Sequence, residues 1–240
     1  MLQPIHFGVN SYKAKSGLVS AERMLNCYAE ITPQTSSFPN MVLGTAGLTV
    51  WKDTGVSLPV YGMRVMGENL YVVVGDKVYK IDASKTVTLL GNITTEIGNV
   101  IMTDNGDQVT IQLPNGTVYY CTPTASSLAQ ITDADFNDSG SVTTLDGFTV
   151  SALLNSNEFQ WSNVNQTESW NALNAATVEA NSSKIVRVYQ NNLELWFFKE
   201  DIIQVFYNTG SGSPLFQRKE GVYIEKGCAS KYSIATMDNS

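Results

Sequence analysis

Five near-identical turns punctuate this chain, each leading into or away from a short apolar segment: Glu68-Asn69-Leu70, Asn105-Gly106-Asp107, Asp146-Gly147-Phe148, Asn191-Asn192-Leu193 and Asp238-Asn239-Ser240. They recur at about 40 residues, the period of architectures in which each repeat is one supersecondary unit that must stack on its neighbours to bury a core. Strand-like segments flank every turn. The repeat therefore predicts an all-β fold, a β-propeller built of four-stranded antiparallel blades with an irregular N-terminal arm. Residues 1–55 are expected to form an arm wrapping the core. Residues 56–240 are expected to hold four blades with a fifth begun, an incomplete propeller.

The blades can be read strand by strand. In the first, Val60 to Val65, Leu70 to Val74, Val78 to Ile81 and Thr86 to Leu90 are separated by tight turns, and the unbroken apolar run Leu70 to Val74 marks a strand covered on both faces. The second repeats this order from Val100, with Asn115-Gly116 read as a two-residue hairpin turn whose positions both need positive φ. A third begins near Val142 and ends in an aberrant segment, Trp170 to Leu173. A fourth begins at Ile185, and Ser233 to Met237 reads as the inner strand of a fifth. In the arm, Ser20 caps a possible short helix through Leu25, and Thr49-Val50-Trp51 offers a further strand.

Composition suits strands and turns: 43% of the 240 residues are apolar and 10% aromatic, with 18 glycines and only 15% charged residues. No apolar run approaches the roughly 18 residues of a membrane span, and Met1-Leu2-Gln3-Pro4 lacks a basic and then apolar leader. The expectation is synthesis in the cytoplasm without membrane insertion. Cys27, Cys121 and Cys228 are too widely spaced for a disulfide framework or a Cys-x-x-Cys site, so buried free thiols are expected.

The net charge of −7 is unevenly placed. Between Lys85 and Lys184 there is no Lys or Arg, while that interval holds Glu96, Asp104, Asp107, Asp133, Asp135, Asp138, Asp146, Glu158, Glu168 and Glu179. Two readings stay open. These are solvated turn carboxylates, since Asp at a turn start accepts from nearby backbone donors. Alternatively Asp104, Asp107, Asp133, Asp135 and Asp138 form an acidic channel face past which a polyanion slides, because phosphate binding needs the clustered cations this interval lacks.

Catalytic signatures are missing. His6 is the one histidine, so a Ser-His-Asp or Cys-His device or a His-based metal site has nothing to build on, and neither Gly-x-Ser-x-Gly nor a phosphate-binding glycine loop occurs. No catalytic residue, cofactor or metal is expected. Asp104, Asp146 and Asp238 occupy equivalent turns and could meet around an axis as glycosidase carboxylates, although turn formation explains each of them. Trp161 and Trp170, read as exposed aromatics, would suit either sugar stacking or protein contact.

Two stretches resemble a known family. Ser20-Ala21-Glu22-Arg23-Met24-Leu25-Asn26-Cys27-Tyr28-Ala29-Glu30, followed by Leu43-Gly44-Thr45-Ala46-Gly47-Leu48, is similar to the opening of the packaged-DNA stabilisation proteins of short-tailed bacteriophages. Ala29 and Ala46 stand where that family usually has proline. The second stretch is more specific: Glu194 to Phe198, Gln204 to Gly210, Pro214 to Arg218 and Ile224 to Ala235 resemble the family in the same order, as do Ser169 to Leu173 and Ala176 to Glu179.

The resemblance implies a non-enzymatic virion component of the tail hub or nozzle. It would assemble as a homo-oligomeric ring, a hexamer, below the portal or head-tail adaptor. There it would close the exit channel after packaging, hold the genome, and take part in attachment of a tail fibre, tailspike or tail needle and in ejection. Double-stranded DNA would pass without specific binding. Arg23, Asn26, Tyr28, Glu30 and Trp170 are the expected interface residues. The alternative is a carbohydrate-binding or glycosidase-type propeller at the tail.

Overall fold

The computed structural model describes residues 25–31, 40–93, 98–179, 181–210 and 214–236. The chain divides into two compact units, Met1–Asp53 and Thr54–Ser240. In the first, β1 (Cys27–Ile31) and β2 (Asn40–Gly44) form an antiparallel hairpin, with Tyr28 opposite Leu43 and Glu30 opposite Met41. This hairpin is absent from the sequence reading. Thr49-Val50-Trp51 is not a strand, and the possible helix from Ser20 lies almost wholly outside the described residues.

The second unit is a run of four four-stranded antiparallel sheets in chain order. Sheet 1 holds β3 (Val60–Met66), β4 (Asn69–Val74), β5 (Lys77–Ile81) and β6 (Val87–Asn92). Sheet 2 holds β7 (Ile101–Asp104), β8 (Val109–Gln112), β9 (Val118–Cys121) and the two-residue β10 (Ala129–Gln130). Sheet 3 holds β11 (Ser139–Leu145), β12 (Phe148–Leu153), β13 (Glu158–Asn163) and β14 (Gln166–Thr177). Sheet 4 holds β15 (Ile185–Asn191), β16 (Glu194–Lys199), β17 (Ile203–Asn208) and β18 (Phe216–Ile224). No helix occurs among the described residues.

The first strands pack in succession, β3 on β7, β7 on β11 and β11 on β15, while the fourth strands of different sheets have no comparable packing. Sheets that meet at their inner strands and diverge outwards are the blades of a β-propeller. Among the described residues no packing of similar extent joins β15 back to β3, so the four blades form an open arc. Blade 1 meets blade 2 closely because Gly62 has no side chain: a Cβ there would lie 2.5 Å from Val100 Cγ2.

Burial explains the sequence pattern of the middle strands. Val109 and Ile111 of β8 belong to an apolar layer with Tyr71, Val73 and Val78 of blade 1. Val150 and Ala152 of β12 belong to another with Phe159, Leu195, Phe197, Phe206 and Phe216. The intervening residues, Thr110, Gln112, Thr149 and Ser151, are buried too. They face one another across the seam between blades 2 and 3 and are paired there. Thr167 Oγ1 lies 2.9 Å from Thr149 Oγ1 and accepts from Thr110 Oγ1 at 3.4 Å. Gln112 donates to the Ser139 carbonyl, and Ser151 Oγ to Ser139 Oγ at 2.8 Å. Alternation that elsewhere marks a half-exposed strand here separates an apolar layer from a hydrogen-bonded one.

Several local expectations need correction. Asn115-Gly116 is not a two-residue hairpin: Pro114 fixes a negative φ at the first central position, Gly116 alone has positive φ (99°), and its N–H donates to the Leu113 carbonyl at 3.1 Å. The result is a longer loop with glycine in the left-handed position. Trp170 to Leu173, the aberrant segment of the sequence, lies within β14 at its bulge against β13: Trp170 pairs with Ser162, the next pair is Ala175 with Gln160, and the residues between them have no partner in the ladder. Ser233 to Thr236 is not strand among the described residues. Its neighbours instead bond to the inner strands, which replaces the expected ladder.

The Phe159 ring sits 4.4 Å from that of Phe197 and 5.4 Å from that of Phe206, at the centre of the layer between blades 3 and 4. Phe159→Ala is expected to lower unfolding free energy by about 3–5 kcal/mol in denaturant titrations, against less than about 0.5 kcal/mol for Leu173→Ala on the surface. In the layer between blades 1 and 2, burial pushes the Cys121 thiol up from 9.0 to about 11, partly offset by the Lys80 charge. Burial, with the Cys121 and Asp104 charges, pushes Tyr71 up from 10.0 to about 12. The folded state holds both protons more tightly than the unfolded chain. Stability is therefore intact below pH 9 and is lost as pH rises towards 12. In Cys121→Ala the decline begins about one unit higher, as denaturation midpoints across that range will show.

Candidate functional site

Within each blade the first turn, after the inner strand, lies at one end of the arc, and the connection to the next blade lies at the other. The β7–β8 and β11–β12 turns, together with Gln190 and Leu193 of blade 4, line an open cleft at the first end, with Asp104, Asn105, Thr144 and Asp146 in its wall. The local chemistry of these turns explains the acids. Asp104 Oδ1 accepts from Gly106 N–H at 3.2 Å, Asn105 Oδ1 accepts from the N–H groups of Asp107 and Gln108, and Asp146 has φ 51° ahead of Gly147 at 82°.

The two cleft carboxylates are also engaged between blades. Arg64 Nε of β3 donates to Asp104 Oδ2 at 2.6 Å, and Asn208 Nδ2 of β17 donates to Asp146 Oδ2 at 2.8 Å. Both carboxylates are held by hydrogen bonds from neighbouring blades. Asp238 and His6 lie outside the described residues. No group of three or more potential metal ligands occurs among the described residues.

The five acids proposed as one channel face are not together. Asp104 and Asp107 belong to the β7–β8 turn. Asp133 lies beyond the outer strand of blade 2, where its Oδ2 accepts from Trp170 N–H and its Oδ1 from Asp135 N–H, both at 2.9 Å. Asp138 lies at the opposite end from Asp104, against Gly116 and Leu154. Adjacency in sequence misled here because the connection from β10 to β11 crosses from the rim of one blade to the inner edge of the next.

Trp170 and Trp161 are core side chains. Trp170 is 5% exposed, packs against Phe136 with tilted rings whose centroids are 4.8 Å apart and donates from Nε1 to the Thr167 carbonyl; Trp161 is 4% exposed and packs on Phe216. Neither can offer a ring to a sugar or a partner, which corrects Trp170 as an interface candidate. Arg23 lies outside the described residues. Asn26 adopts φ 53° just before β1, and its carbonyl accepts from both the N–H and the hydroxyl of Thr45, closing the open end of the hairpin. Tyr28 and Glu30 are exposed on β1.

Buried cations were missed in the sequence. Lys199 is fully buried, donating from Nζ to the carbonyls of Val178 (2.9 Å) and Asn181 (2.5 Å) with no carboxylate partner; burial lowers its pKa. The signal was present: Leu195, Phe197 and Lys199 are successive inward positions of one strand, so period 2 sends the lysine into the interior.

With this geometry in place, comparison with known proteins is decisive for the family. Residues 3–240 match the family described as Bacteriophage P22 Gp10, beta-propeller. The chain belongs to that family. Among curated proteins, none matches the sequence. Solved structures similar in fold include two that differ widely from each other in origin. The computationally designed Ika4 protein shares 11% identity with TM-score 0.51, over 68% of this chain and 99% of that one. YCF48 bound to D1 peptide shares 12% identity with TM-score 0.51, over 75% of this chain and 60% of that one.

Membership of the P22 Gp10 propeller family makes this a phage structural protein, a virion component of a DNA-stabilising class. The two motif halves of its N-terminal region are the segments that the Asn26–Thr45 hydrogen bonds tie together. Asp133 supplies a test of the structural reading of the acids. Its two backbone hydrogen bonds, first that from Trp170, hold its carboxyl below the usual 3.8. The stability it contributes is present above pH 3.8 and lost as pH falls through its folded-state value. Asp133→Ala is expected to lower Tm at neutral pH, with the gap to the parent closing in more acidic buffer; a gap independent of pH would contradict this role.

Proposed function

We propose that this protein is a structural component of the tail of a short-tailed phage, assembling as a homo-oligomeric ring below the portal, closing the DNA exit channel after packaging and helping to carry the tailspike or fibre. The observation that carries this reading is the family match along residues 3–240. Retention of DNA is mechanical in this reading. The interval between Lys85 and Lys184 has no cation with which to neutralise phosphate, and Arg64 beside it is paired with Asp104.

Exposed apolar residues support association. The β1–β2 hairpin exposes Tyr28, Met41 and Val42, and a two-stranded hairpin is marginal unless something packs on it. The inner strand of blade 1 exposes Val60, Met63 (65%) and Val65, a row of the kind that marks protein contact. Asn26, Tyr28 and Glu30 remain the interface candidates from the arm.

The reading is tested by deleting the gene from its phage and measuring DNase-protected DNA in the resulting heads. Heads are expected to fill and then lose their genome, with purified protein restoring retention. Heads that stay filled without the protein would refute the assignment. An electron-microscopy reconstruction of the tail then gives ring order and shows whether the hairpin lies between copies.

A further inference from the structure

A second cluster of charge lies at the opposite end of the arc from the Asp104 cleft. A β-bulge between Ile185 and Arg187 redirects the start of inner strand β15. Arg187 Nη1 donates to the Lys231 carbonyl at 2.5 Å, and its guanidinium carbon lies 5.4 Å from the Tyr189 ring centroid. Its Nε is buried and has no hydrogen-bond partner. Lys231 Nζ reaches only a long 3.4 Å contact with the Gly140 carbonyl at the start of β11, and sits 5.4 Å over the Tyr232 ring. Tyr232 is partly exposed and its hydroxyl donates to the Asn99 carbonyl at 2.5 Å, so the 228–233 segment spans the starts of three inner strands.

The two cations stand side by side, and neither makes an ion pair among the described residues. Burial lowers the pKa of Arg187, and the ionisable groups that act against this are Tyr189, Tyr232 and Cys228. Burial lowers Lys231 as well, and the charge of Arg187 lowers it further. The ion pairs among the described residues, Arg64 with Asp104 and Lys219 with Glu194, lie elsewhere. In a chain of net charge −7, two adjacent half-buried cations without a carboxylate partner among the described residues are out of keeping with their surroundings.

We propose that Arg187 and Lys231 form a binding site for one phosphate-class oxyanion at the starts of inner strands β11 and β15. The guanidinium, whose hydrogen bond among the described residues is made from Nη1 alone, gives a planar fork of fixed direction with further N–H donors. The ammonium, with donors to spare, gives a mobile point charge. That combination suits a doubly charged tetrahedral anion better than a single carboxylate. The ligand is either free phosphate or a phosphodiester of nucleic acid. This site rests on the geometry of the cluster and is independent of the tail assignment.

The test is thermal unfolding of the full chain at neutral pH in about 20 mM inorganic phosphate, against acetate and chloride of matched ionic strength. A rise in Tm of about 2–4 °C specific to phosphate is expected, absent in Arg187→Gln and in Lys231→Gln. Without phosphate, Lys231→Gln should be at least as stable as the parent, because it removes a like-charge contact and only a long hydrogen bond; it keeps the test valid if Arg187→Gln fails to fold. Fluorescence anisotropy with a duplex of about 12 base pairs identifies the source. Binding of the duplex that both variants weaken, with no response to free phosphate, assigns the site to phosphodiester. No response to either, or a response that survives Lys231→Gln, overturns the proposal.

Discussion

Everything in the propeller unit follows from the double-sided burial of the second strand of each blade. A sheet whose middle strand is covered on both faces has no water-facing side on which to leave a polar group. Each Thr, Ser or Gln there must find its partner inside the seam, on its own blade or the next. Between blades 1 and 2 the layer is almost wholly apolar, and between blades 3 and 4 an aromatic layer is flanked by Lys199, which donates to the Val178 and Asn181 carbonyls, and by Ser141 and Thr143, which accept from β15 N–H groups. Between blades 2 and 3 the demand is met by the network around Thr110, Thr149 and Thr167. Hydrophobic layers tolerate sliding, whereas a hydroxyl chain has discrete partners, so the central seam fixes the relative height of the two halves.

The repeat was the most legible feature of the sequence because a tight turn demands particular residues: Gly147 and Asn192 occupy left-handed conformations that few other side chains accept. Blade starts near Val60, Val100, Val142 and Ile185 could be found from those turns alone. The structure begins the corresponding strands at Val60, Ile101, Ser139 and Ile185. The β1–β2 hairpin was not legible, since Gly44 and the prolines around it read as loop. Its closure depends on a pairing of Asn26 with Thr45 that local propensity does not encode.

Function was legible at the level of family and obscure at the level of residues. The motif from Glu194 to Ala235 is distinctive as a string, yet its individual roles are structural. Lys199 ties the connection between blades, Asn208 reaches the blade 3 turn, and Gly227 lies where a Cβ would overlap the Glu200 carbonyl. Charge, by contrast, was misleading in one dimension. Asp104 and Asp138 belong to one acidic run but to opposite ends of the arc, because each blade carries the chain from one end to the other and back twice.

The strands of each blade run between those two ends, and this sets how the molecule bears load. A pull between the ends acts along the strands. It loads every rung of a ladder at once in shear, and separation would require many hydrogen bonds to break together. A pull outward on β18 instead meets one pair at a time, since that strand is held to β17 along a ladder with a shift in register between Gln204 and Phe206. The unit is thus stiff along the direction of its strands and peels from its rim, an anisotropy that comes from topology alone and would hold for any side chains that kept the same pairing.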